Sequence, residues 1–185
     1  MEDVYVIDRP NRAKAASLVT RAVVVALLLA SAALLLVVIV GGWSALQGGP
    51  ALQLVLAAIY VGMAVRVARW SRGVLPVAAA CAILLLIFAA IAGPQWFERS
   101  KDGFAVPELP AGGTGLDPDV LGVLTLIQVP LQLLVLFFAM QGFRQEWHVE
   151  VEVPRSQARW PGARPPRPRR RPGARRPDAP GAAFP

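Results

Sequence analysis

Four long apolar runs, separated by polar or basic segments, organise the chain. The first, Ala22 to Trp43, reads AVVVALLLASAALLLVVIVGGW and holds no charge over 22 residues. About 20 apolar residues suffice to cross a bilayer as a helix. Arg9, Arg12, Lys14 and Arg21 precede it, as bases precede the apolar core of a signal peptide. That core is only about 7–15 residues long, so a first transmembrane helix is the better reading. The second run is apolar from Ala51 to Val65 and reaches a spanning length only if it continues to Trp70. Arg66 and Arg69 would then snorkel to the interface. A re-entrant or interfacial segment is the competing reading here. The third run, Val74 to Phe97, is uncharged, with Pro76 near its start and Pro94 near its end. The fourth, Val120 to Phe143, is entered through DPDV. There Asp117 can cap, Pro118 can take the first helical position, and Asp119 complements the positive helix end. The pattern predicts an all-α membrane protein, a four-transmembrane-helix bundle with spans at about 22–43, 51–70, 74–97 and 120–143.

Two short stretches change period. VYVI (Val4 to Ile7) and WHVEVEV (Trp147 to Val153) alternate as strands do. They flank the bundle, in an N-terminal segment 1–21 and an extension 144–153. Their pairing as a small cytoplasmic β-ribbon is expected, with disorder as the alternative. An isolated ribbon is marginal and would need support from the helix ends or the lipid interface. From Pro154 onward Pro, Arg, Gly and Ala dominate, so no core can form and residues 154–185 read as a disordered basic tail. Glu98 to Asp119 reads as a flexible extracytoplasmic connection. Its Gly112, Gly113 and Gly115 lack the G-K-[S/T] and the preceding strand of a phosphate loop.

Charge orients the bundle. The net charge is +7, but the segment from Arg155 onward carries nine Arg against Asp178 alone, so the rest of the 185 residues is at −1. The segment to Arg21 holds four bases, the 66–73 connection three and the region from Arg144 ten. The other two connections hold two between them. The positive-inside rule then puts both termini in the cytoplasm and the protein in the plasma membrane as a multi-pass chain. Trp43, Trp70, Trp96 and Trp147 fall at span ends, where an aromatic belt would lie.

Candidate chemistry is sparse. One Cys, Cys81, excludes an internal disulfide, and one His, His148, leaves little for a metal site or triad. Cys81 reads as a small apolar filler. No H-E-x-x-H, no G-x-S-x-G and no paired carboxylates facing a cavity are present. Glu98 and Asp102 are ordinary loop acids. The sequence thus predicts no enzyme and no cofactor or metal. Other than Cys81, nothing ionisable lies well inside a span, whereas proton-coupled transporters and pumps usually need intramembrane charges. In size and span number the chain resembles a small multidrug exporter. That family relies on a membrane-embedded Glu in its first helix, which Ala22 to Trp43 lacks, so the resemblance is rejected.

The most polar span is the fourth. Thr125, Gln128 and Gln132 are spaced three and four apart and share one helical face. They predict either interhelical hydrogen bonds, the favoured reading, or a polar cavity for a small ligand or headgroup. Tyr60, mid-span, is expected to turn toward a neighbouring helix. Small residues at four-residue spacing, Ala22/Ala26/Ala30, Ala58/Gly62 and Ala89/Gly93, would allow close helix approach.

The tail stretch RPPRPRRRPGARRP presents Arg164, Arg167, Arg169, Arg170, Arg171, Arg175 and Arg176. Tethered to a bilayer, these are expected to meet anionic lipid headgroups, each base near such a surface contributing about 1 kcal/mol. A membrane or cytoplasmic protein partner is a second option, and a merely orienting tail a third. Nucleic acid is disfavoured, since only Trp160 could stack and no fold presents the tail. Abundant Ala and 17 Arg against two Lys suggest a GC-rich genome. With RAKAASLVTRAVVVALLLASAALLLVVIVGGWSAL, ARWSRGVLPVAAA and QGFRQEWHVEVE, the chain resembles small four-helix membrane proteins of GC-rich, actinobacteria-like bacteria. The resemblance covers the spans and their edges, not the tail, and implies no activity. The expected role is that of a non-enzymatic accessory or scaffold subunit. The alternative is a transporter or channel component, as a homo-oligomer, using the polar face of the fourth helix.

The topology is testable through the lone cysteine. In a Cys81→Ser background, an impermeant maleimide applied to intact cells should label Ala111→Cys but not Ala13→Cys or Ser156→Cys until the cells are lysed. Labelling of Ala13→Cys and Ser156→Cys but not Ala111→Cys on intact cells would overturn the orientation.

Overall fold

The structure, a computed structural model, describes residues 5–46, 50–101, 103–159 and 161. In chain order the elements are β1 (Tyr5–Asp8), α1 (Ala15–Gly41), α2 (Pro50–Ala68), α3 (Val74–Lys101), α4 (Pro118–Arg144) and β2 (Val151–Pro154), with single 3₁₀ turns at Pro10–Ala13, Trp43–Ala45 and Arg155–Gln157. All four α-helices are long and apolar enough to cross a membrane, the second included. This is the architecture of a membrane protein. Its helices bury a third or so of their apolar windows and turn the rest outward. Leu52, Val55, Phe88, Ile91, Leu133 and Phe137 are exposed, as lipid-facing residues are when no lipid is present.

The helices run up and down, so both β-strands and the 66–73 turn lie at one end, called here the termini end. The 42–49 and 102–117 connections lie at the distal end. α3 packs along α4, and α1 packs against both α2 and α4. α2 and α3 barely touch, although only five residues join them. The core layer at the termini end is Val24, Leu28, Ala64, Val67, Leu75, Ala78 and Ala139 around a fully buried Trp147. A smaller cluster at the distal end joins Val38, Trp96 and Leu121.

The helix ends follow local chemistry. Asp117 caps α4 by accepting from the Asp119 N–H at 2.8 Å, with Pro118 at the first position. At the end of α2 the Ser71 N–H donates to the Arg66 carbonyl and the Trp70 N–H to the Val67 carbonyl, a Schellman closure. The residue in the left-handed conformation is Trp70, φ 63°, where glycine is usual. Its indole meets Trp147 edge-on with centroids 5.3 Å apart, and the Arg21 guanidinium lies 4.3 Å from its ring centre. Those contacts offset the strain of a bulky left-handed residue.

The ribbon forms. β1 and β2 pair antiparallel, with Tyr5 opposite Pro154 and Asp8 opposite Val151. Its support comes from the helix ends. Asn11 donates to the Glu146 carbonyl, Arg12 to the Trp147 carbonyl, and Arg9 pairs with Glu150. Burial first, and neighbouring Arg9 second, lower the Arg12 pKa, while Glu150 acts in the opposite sense. Val4, expected in the first strand, lies outside the described residues.

Four expectations need correction. The boundary at 154 is too early. Pro154 ends β2, Arg155–Gln157 form a turn, and the Arg159 N–H donates to the buried Asp8 carboxylate at 2.9 Å. The distal connection is not a loose loop. Glu108 bridges Thr114, the Leu116 N–H donates to the Gly41 carbonyl at 2.9 Å, and the Glu108 N–H donates to the Ser44 hydroxyl at 2.8 Å. It thereby satisfies the carbonyl end of α1, which would otherwise be unpaired. The tryptophans do stand at helix ends, but Trp96 and Trp147 are buried in the packing and form no belt. Of the small-residue sets, Ala89 and Gly93 are buried, Gly93 against Leu126 of α4. Ala22, Ala26, Ala30, Ala58 and Gly62 face outward instead; the buried faces of α1 and α2 carry other small residues, Ser31 and Ala32 on α1 and Ala57 and Ala64 on α2, among Val24, Leu28, Tyr60 and Val67.

Glycine substitution separates the two situations. A Cβ at Gly115 would press into the Gly41 carbonyl and lie 2.7 Å from that of Pro107, whereas one at Gly62 meets nothing within 4 Å. Gly115→Ala should lower stability by about 1–3 kcal/mol. Gly62→Ala should be neutral or stabilising by less than about 1 kcal/mol. Thermal unfolding in one detergent compares them directly.

Candidate functional site

At mid-bundle, side chains of three helices form a buried polar constellation. Ser31 on α1 sits in an Ala/Leu stretch and donates back to the Leu27 carbonyl at 2.8 Å. Facing it on α4, the Gln132 amide donates to the Ser31 hydroxyl at 3.0 Å and to the Gln128 side-chain oxygen at 2.9 Å. The Gln128 amide donates to the Ser31 carbonyl at 3.0 Å. From α2, the Tyr60 hydroxyl donates to the Gln132 oxygen at 2.9 Å. Ser31, Tyr60 and Gln132 are fully buried and Gln128 nearly so.

Three helices are therefore joined through four side chains. Both hydrogens and the oxygen of the Gln132 amide are engaged. In hydrocarbon an unpaired amide costs several kcal/mol, so a closed set of this kind favours one arrangement of the helices. Of the three co-facial residues of α4, Gln128 and Gln132 come together. Thr125 does not join them; its hydroxyl bonds the Leu121 carbonyl of its own helix at 2.7 Å. The helix-period spacing identifies the α4 half. Ser31 goes unnoticed in the sequence, its only signal being that it is the lone hydroxyl between Thr20 and Trp43.

Beside this network, between the distal halves of α2 and α3, a groove of about 750 Å³ opens sideways. Its walls are apolar, with Leu52, Leu56 and Ile59 on one side and Leu85 and Phe88 on the other. Thr125 and Gln128 reach its floor, and Gln95, Glu98 and Arg99 stand at its mouth. The groove exists because α2 is drawn toward α1 and Gln132 and leaves α3 at this level. No sequence pattern announces it.

At the termini end, Arg72 donates to the Phe143 carbonyl at 2.9 Å, lies over the Phe143 ring, and meets His148 Nδ1 at 2.9 Å. Arg21 donates to the Ala68 carbonyl at 3.2 Å. These bases close helix ends as well as carrying charge. The tail arginines Arg164, Arg167, Arg169, Arg170, Arg171, Arg175 and Arg176 lie outside the described residues. So do Asp102 and Trp160. Among the described residues no group of three His, Cys, Asp or Glu is arranged to hold a metal ion. No protein family, curated protein or solved structure matches the chain.

The network should behave as a unit. Tyr60→Phe removes one bond and should cost about 0.6 kcal/mol. Gln132→Leu strands partners on three helices and should cost about 1–3 kcal/mol. In a double-mutant cycle of Tyr60→Phe with Gln132→Leu, strict additivity of the unfolding free energies would show that the residues act separately.

Proposed function

We propose that the chain is a non-enzymatic multi-pass protein of the plasma membrane, an accessory or scaffold subunit. Both termini are cytoplasmic, and the basic tail contacts anionic lipid or a cytoplasmic partner. The observation that carries this reading is the state of the buried polar groups. Among the described residues, Asp8 is the only buried carboxylate or base, and it belongs to the ribbon, where backbone amides of Arg9 and Arg159 satisfy it. Within the bundle, Gln128 and Gln132 bond each other and their neighbours. A carrier or channel needs polar groups that engage a passing solute, and these are engaged already.

The termini end supports the second half of the proposal. Arg9, Arg12, Lys14, Arg21, Arg66, Arg69, Arg72, Arg144, Arg155 and Arg159 gather there, and Asp8 holds the chain at Arg159, so the tail departs from an already basic surface. Nine Arg from Arg155 onward have a nominal ceiling of about 9 kcal/mol with anionic headgroups, lowered by salt and chain entropy.

The test is co-purification from native membranes in mild detergent, full-length chain against a chain ending at Pro161, which keeps the ribbon and the Asp8 contact. A partner retained only by the full-length chain supports an adaptor tail. Solute flux in proteoliposomes that persists without the tail and disappears in folded Gln128→Leu or Gln132→Leu variants would overturn the proposal.

A further inference from the structure

We propose that the groove between α2 and α3 is a lipid site, holding one acyl chain of an anionic phospholipid from the distal leaflet with its phosphate on Arg99. This site is at the opposite end of the bundle from the tail and independent of the role proposed for it.

The length of the groove fits a single leaflet. Along α3 its lining runs from Leu85 to Arg99, fourteen residues or about 21 Å of helix, close to half of a bilayer about 40–45 Å thick with its headgroup regions. Gln128, at its floor, lies ten residues into α4 and so at a similar depth. A groove of about 750 Å³ falls within the range of ligand pockets. Open to hydrocarbon and lined by Leu, Ile and Phe, it would forfeit dispersion contacts on every wall if left empty. Water is a poor occupant, because the walls are apolar and the one amide at the floor, Gln128, already bonds Ser31 and Gln132.

The mouth selects the headgroup. Arg99 Nε is buried and has no hydrogen-bond partner. The guanidinium lies 4.7 Å from the ring centre of Phe104, which holds the side chain against the groove without neutralising it. The adjacent carboxylate is engaged elsewhere, Glu98 accepting from Lys101 at 2.8 Å on an exposed surface. An unpaired guanidinium at headgroup depth above an acyl-sized slot presents donors with the geometry of a phosphate diester. A zwitterionic lipid offers the same phosphate but brings its own cation close to Arg99, so an anionic headgroup is preferred.

The experiment uses the full-length chain in nanodiscs of phosphatidylcholine. They are doped with trace phosphatidylglycerol or phosphatidylcholine carrying a photoreactive acyl chain, and cross-links are mapped by mass spectrometry. Groove residues Leu56 and Phe88 are compared with Leu133 and Phe137 on the open face of α4. Phosphatidylglycerol should exceed phosphatidylcholine at the groove by about fivefold, the ratio expected for one basic contact. No such excess should appear on α4. Arg99→Gln should abolish the excess, Arg99→Lys should keep most of it, and Lys101→Gln should leave it unchanged. The tail is present throughout and cannot produce these differences. Equal labelling of the groove by the two lipids, or an excess that survives Arg99→Gln, would each overturn the proposal.

Discussion

The hydrogen bonds among Ser31, Tyr60, Gln128 and Gln132 are the constraint on which the rest of the bundle depends. Helices in lipid gain nothing by hiding apolar surface from one another, because the lipid is as apolar as they are. What distinguishes one packing from another is close contact and polar pairing. α3 and α4 have close contact, through Gly93 against Leu126 and Gly122 against Phe97. α2 packs closely along α1 but barely touches α3, and it is exposed along most of its length. Tyr60 is the polar link that fixes its rotation, placing its hydroxyl on Gln132 and so seating α2 against α1 and α4. The gap toward α3 follows from that choice. One interaction thus creates both the order of the bundle and its groove.

The parts of the fold legible in the sequence are those set by length and period. Three uncharged stretches of 20 or more residues, and the DPD start of α4, depend on local chemistry, and a helix covers each of them, although α1 begins at Ala15, seven residues before the uncharged run, and α2 rests on an apolar run of only 15. The ribbon was legible for the same reason, since VYVI and WHVEVEV carry a period of two. What escaped depends on which neighbour a side chain meets. Gly115 looks like loop glycine until Gly41 and Pro107 stand against it. Ala22, Ala26 and Ala30 look like a packing stripe, yet the face of α1 that packs carries Val24, Leu28 and Ser31. In an Ala-rich helix small residues lie on every face, so their spacing alone identifies no contact. Ser31 shows the converse: a single hydroxyl has no period, and only the facing glutamines give it meaning.

The two ends of the bundle solve the same problem with different means. Helix ends expose backbone carbonyls and amides that must find partners near the membrane surface. At the distal end the connecting loop does this: the 103–116 segment folds on itself, its Leu116 N–H takes the Gly41 carbonyl of α1, and the Asp117 side chain that follows it caps α4. At the termini end side chains do it, with Arg12, Arg21 and Arg72 each donating to a carbonyl at or near a helix end. A guanidinium has five donors and stays charged, so an arginine can close a helix and still present charge to a headgroup. The bias of bases to one end therefore has a structural cause.

Arg99 breaks that division of labour, and its position explains why. It is in the last turn of α3, where a cation is favoured by the helix dipole, yet it donates Nε to no carbonyl. At the distal end the carbonyl of Gly41 on α1 is taken by the Leu116 N–H and the start of α4 by Asp117, so this arginine closes neither of those helices. It lines the groove, and its guanidinium lies over Phe104. A base held in that way, beside a slot that hydrocarbon must fill, is oriented toward whatever occupies the slot. The packing that leaves α2 and α3 apart and the capping that leaves Arg99 unengaged have separate causes, and together they place a cationic head above an apolar channel of one leaflet's depth.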